Sequence, residues 1–175
     1  NANLQRYAEA FSFLQSKNLY TVDDLENTLH SMQDKIDALK KSASAKQARI
    51  KEVDALLRMV DYYKSGKPAA DKLKSIRFEK SRQKYKSEHD DELRTFYMAE
   101  RKLKPYFKDG KLPITAWRRE CEQLEQDCKD IQAELSPLHA DAKKLWAIHY
   151  NIYEVQHEQE RQNTATRQKK QEIER

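Results

Sequence analysis

Glycine and proline are scarce in this sequence: two Gly and four Pro in 175 residues. So few backbone breakers, with 36% charged residues, leave little room for sheets and tight turns and favour long helices. Apolar residues make up only 38%, and mean hydropathy is −1.07, which suits a narrow buried seam better than one deep core. No run approaches the roughly 18 to 20 apolar residues of a membrane span, and no signal-peptide pattern opens the chain. A reducing cytoplasmic setting follows as the expectation. The chain opens Asn1-Ala2 without Met, which reads as the remnant of a cleaved tag on a fragment of a longer protein.

Cysteine is equally sparse. Cys121 and Cys128 stand seven apart, about 10.5 Å along a helix axis. That is beyond the roughly 7 Å a disulfide tolerates, so the two are expected as small hydrophobes in a seam. No CxxC pair, HExxH pattern, calcium loop, Gly-rich phosphate loop or nucleophile elbow is present. His30, His89, His139, His149 and His157 lack metal-ligand spacing, and the EHDDE run at 88–92 suits a helix start. No catalytic residue, metal or cofactor is therefore expected, and the fragment reads as a non-enzyme.

What the sequence does contain is periodicity. Leu4, Tyr7, Ala8, Phe11 and Leu14 share one helical face, predicting a helix over 3–17 that stops near Asn18. Thr21 and Asp24 form a Thr-x-x-Asp cap for the next one. From Val22 to Val60 apolar positions alternate steps of three and four, with Lys46 the single polar seam residue. Gly66 and Pro68 are read as the stop, so the spacing predicts a helix over 22–64, about 64 Å long. A second heptad run from Trp117 to Ile152 predicts a partner helix over 115–160, capped at Thr115 and kinked rather than stopped at Pro137. Matching small with large residues suggests Val60 beside Cys121, Leu57 beside Leu124, Val53 beside Cys128 and Ile50 beside Ile131. The same register sets Ala43 beside Leu138 and Leu39 beside Ala142. The predicted fold is all-α: a long antiparallel coiled-coil helical hairpin, a short N-terminal helix and a basic helical tip over 65–113. One helix is expected near 87–104, anchored by Leu93, Phe96, Tyr97 and Leu103, with Ile76, Phe78, Tyr85, Tyr106 and Phe107 as a small core. Residues 161–175 read as a polar tail.

Charge is the remaining signal. Residues 64–111 hold fifteen Lys or Arg against eight Asp or Glu, whereas the rest holds nineteen against twenty-one. All the excess positive charge therefore lies in the connector, and KSGKPAADKLKSIRFEKSRQKYK (64–86) concentrates it. Lys72, Lys74, Arg77, Lys80, Arg82, Lys84 and Lys86 are the candidate phosphate contacts, with Tyr85 the candidate stacking platform and Tyr106 and Phe107 as alternatives. The bland reading is that loops and helix ends are Lys-rich for solubility.

FLQSKNLYTVDDLENTL, IKEVDALLRMVDYYKSGKPAADKLKSI, KYKSEHDDELRTFYMAERKLK, GKLPITAWRRE and LSPLHADAKKLW, in that order over about residues 7–155, resemble the helical C-terminal region of relaxases. These are the mobilization nucleases of bacterial conjugative and mobilizable elements. The resemblance implies an accessory region of a DNA-nicking parent whose tyrosine and histidine chemistry lies elsewhere. The expected partners are DNA, relaxosome or transfer-apparatus proteins, and a second copy as a homodimer, with no membrane. The alternative is a structural coiled-coil spacer or dimerisation module without DNA contact.

Overall fold

The computed structural model describes the backbone of residues 2–173 and the side chains of residues 4–167. The side chains of Asn1-Ala2, and of the tail beyond residue 167, lie outside the described residues. The chain is all-α. Among the described residues five α-helices follow in order: α1 (Ala2–Ser16), α2 (Val22–Ser75), α3 (Glu79–Glu88), α4 (Asp90–Leu103) and α5 (Ile114–Ile173). The long helices α2 and α5 pack against each other. No described helix is long and apolar enough to cross a membrane.

The chain divides into two units, Asn1–Lys41 with Ile131–Arg175, and Ser42–Asp130. In the first, α1 ends where Asn18 enters the left-handed region at φ 57°, and the Leu19 amide returns to the Leu14 carbonyl at 3.0 Å. Thr21 and Asp24 then close a reciprocal cap. The Asp24 amide donates to Thr21 Oγ1 and the Thr21 amide donates to Asp24 Oδ2, both at 3.0 Å. These bonds, led by the Thr21 contact, hold the Asp24 carboxyl below its usual range. The cap therefore acts at pH values above that range and is lost as acid protonates Asp24. Leu25, Leu29 and Leu145 are buried together, and Ile36, Leu135 and Ala142 form a second cluster. Trp146 lies about half exposed on this unit.

In the second unit Val53, Val60, Leu103, Trp117 and Cys121 are buried in one cluster, with Leu57 and Ile114 packed against it. Neither cysteine is in a disulfide, and burial, with Asp54 second, raises the Cys121 thiol pKa. A smaller cluster joins Ala69, Ala70, Leu93 and Phe96.

Several expectations need correction. The helix does not stop at Gly66 and Pro68 but runs to Ser75. A Cβ at Gly66 would sit 2.6 Å from the Phe96 Cβ and 3.2 Å from the Glu92 carbonyl, so this glycine admits α4 to the face of α2. Pro68 is exposed, as is Lys64, whose carbonyl loses its helical donor there; water can supply another. Pro137, also exposed, does not stop α5, as expected. That helix starts at Ile114, with the Trp117 amide donating to the Pro113 carbonyl, so Thr115 lies inside the helix and is not its cap.

The pairing register is one heptad from the expected one. Trp117 and Cys121 share the cluster of Val53 and Leu57, which contains neither Leu124 nor Cys128. Flanking charges agree within each unit: Lys35 pairs with Glu134 at 2.7 Å and Glu26 with His149 at 2.9 Å in the first, Lys46 with Asp127 at 2.6 Å in the second. Arg49 grips Glu120 through two bonds of 2.7 and 3.3 Å, holding that carboxyl below its usual range. The ammonium of Lys46, a seam residue, thus leaves the core for Asp127.

Candidate nucleic-acid interface

The basic stretch is divided between the last turns of α2, a three-residue link and α3. Lys72 and Lys74 belong to α2, Arg77 to the link, and Lys80, Arg82, Lys84 and Lys86 to α3. The link forms because Phe78 is extended (φ −84°, ψ 125°) at the N-cap, with no side-chain cap bond. Arg82 closes it: its guanidinium donates to the Ile76 carbonyl at 3.0 Å and pairs with Glu79 at 3.3 Å. At the other end the His89 amide donates to the Tyr85 carbonyl, and α4 begins at once with Asp90, Asp91 and Glu92 in its first turn.

Helix α3 buries no residue. Its sequence EKSRQKYKSE carries a single aromatic and no aliphatic side chain, so it has no apolar stripe to bury. Every candidate cation on it is exposed. Lys80 and Lys84, four apart, share one stripe. Lys84 is 3.9 Å from Glu88, a weak pairing at that exposure. Among the described residues, Lys72, Lys74, Arg77, Lys80 and Lys86 form no ion pair. The structure therefore sorts the seven cations. Arg82 is committed to the backbone, Lys72 lies over the Tyr85 ring at 5.1 Å, and Lys74, Arg77, Lys80 and Lys86 are free.

Tyr85 does not have the place expected for a stacking platform. It is half-buried, with Lys72 over its ring and His89 at 4.1 Å between ring centroids. Tyr106 meets Trp117 edge-on at 5.4 Å, and Phe107 packs against the buried cluster beside Tyr63. The aromatic that stands free is Phe78, 79% exposed between Arg77 and α3. Sequence reasoning assigned it to a small core. The signal available was its position: directly between Arg77 and the charged run Glu79-Lys80, with no apolar residue three or four positions to either side.

No group of three or more His, Cys, Asp or Glu among the described residues could hold a metal ion. Comparison with family models, with curated proteins and with solved structures finds no match. Geometry and charge are what the site offers: exposed cations on a short helix beside one uncovered ring.

Proposed function

We propose that this chain is a non-catalytic accessory region of a DNA-mobilising relaxase, acting in the bacterial cytoplasm, and that α3 and the link before it hold nucleic-acid phosphates. The observation that carries the nucleic-acid part is the set of exposed, unpaired cations Lys74, Arg77, Lys80 and Lys86 around exposed Phe78. A helix kept only for solubility has no need of an uncovered phenyl ring beside its cations. The resemblance to relaxases supplies the parent, and with it relaxosome or transfer-apparatus proteins as further partners.

Fluorescence anisotropy with single- and double-stranded oligonucleotides tests the contact. Each phosphate contact contributes a slope of about 0.7 (single strand) to 0.9 (duplex) in log affinity against log salt. Four contacts would then weaken duplex binding by roughly 100-fold between 50 and 200 mM salt. Replacing Lys74, Arg77, Lys80 and Lys86 by Ala removes most of that slope, and Phe78→Ala weakens single-strand binding more than duplex binding. Equal affinity for the quadruple variant and the unaltered chain refutes the assignment. The relaxase part fails if the gene encodes no nuclease domain upstream of this segment.

A further inference from the structure

Leu4, Tyr7, Phe11 and Leu14 share one face of α1, yet α1 joins the buried cluster through Phe13 and Leu14. Lys17 pairs with Asp141, and the ammonium groups of Lys144 and Lys17 lie 5.2 and 5.7 Å from the centre of the Phe13 ring. With α1 so fixed, Leu4, Tyr7 and Phe11 are left 73, 65 and 62% exposed. Tyr7, Phe11 and Leu14 then form one wall of an open groove of about 730 Å³, and Ile148, Ile152 and Val155 of α5 form the other.

We infer that this groove is where a second copy of the chain docks, α1 against α1, in a two-fold symmetric dimer. Two observations favour a copy of itself over another partner. In a two-fold interface each flank of a helix meets its own counterpart, so charged flanks would repel. The positions flanking the Leu4–Leu14 stripe are Ala8, Ala10 and Gln15, small or uncharged. The groove rim carries one charge of each sign, Arg6 and Glu154, so Arg6 of one copy can face Glu154 of the other.

Sedimentation equilibrium of the chain between about 1 and 200 μM tests this. The expected result is a monomer–dimer equilibrium that persists in 1 M NaCl, unlike binding to DNA, which such salt abolishes. Tyr7→Ser with Phe11→Ser raises the dimer Kd at least tenfold, as loss of central apolar anchors does. Tyr150→Ser, on another face of α5, leaves it unchanged. Because loss of Tyr7 and Phe11 can also detach α1, a charge exchange supplies a second reading. Arg6→Glu or Glu154→Arg alone weakens the dimer about threefold, and the two together restore it. A monomer throughout the concentration range overturns the inference, as does a dimer insensitive to the Tyr7/Phe11 variant or a charge exchange without restoration.

Discussion

Helices α3 and α4 adjoin at His89, yet they do opposite things. The fourteen residues of α4 bury Leu93, Phe96, Ala99 and Leu103 at steps of three and four, whereas the ten residues of α3 bury none. The difference lies first in composition: α4 has apolar residues to concentrate on one stripe, and α3 has only Tyr85. Substitutions in α4 should therefore register in folding, and those in α3 in binding. The contrast identifies α3 as a surface held by its neighbours rather than as part of what holds the unit together.

Four variants sharpen or break that contrast. Phe96→Ala should destabilise the most, by about 3 to 5 kcal/mol in urea unfolding, because Phe96 is buried against Ala69 and Ala70 and stacks on Tyr63 at 5.1 Å. A loss below 1 kcal/mol would show that α4 is not the packing element. Gly66→Ala comes next. Alanine favours the helix by up to ~1 kcal/mol, but its Cβ meets the Phe96 Cβ, so a net loss of about 1 to 3 kcal/mol is expected from the melting midpoint. Unchanged or increased stability would mean that the two helices separate freely. Arg82→Ala removes the bond to the Ile76 carbonyl from an exposed side chain, and should cost about 0.5 to 1 kcal/mol with little effect on DNA affinity. Lys80→Ala with Lys84→Ala should change stability by less than about 0.5 kcal/mol while weakening DNA binding. A large stability loss in that last variant would remove the distinction between the two helices.

Much of the fold is legible wherever a local rule and the tertiary packing agree. Asn18 as a stop, the Thr21–Asp24 cap and the anchors Leu93, Phe96 and Leu103 are of this kind. The register is not, because a heptad repeat moved by seven residues still matches apolar with apolar. Only the non-repeating features decide it, and they were readable: Arg49 opposite Glu120 and Lys46 opposite Asp127 satisfy charges in the observed register. Gly66 misleads for a different reason. Alone it is a helix breaker, and its role exists only once Phe96, thirty residues on, lies against it. The basic stretch was legible as charge; which cations are free was not, since that depends on Arg82 turning back to Ile76 and Lys72 covering Tyr85.

The two tryptophans have a practical consequence. Trp117 is 6% exposed in one unit and Trp146 is 48% exposed in the other, so the chain carries one intrinsic fluorophore in each. Buried indole emits at shorter wavelength than indole in water, so a Trp146→Phe variant reports the unit around Val53 and Val60 by a red shift on denaturation. A Trp117→Phe variant reports the other unit from a residue already partly hydrated. Recorded along one urea titration, the two emission curves would show whether the units melt together or apart.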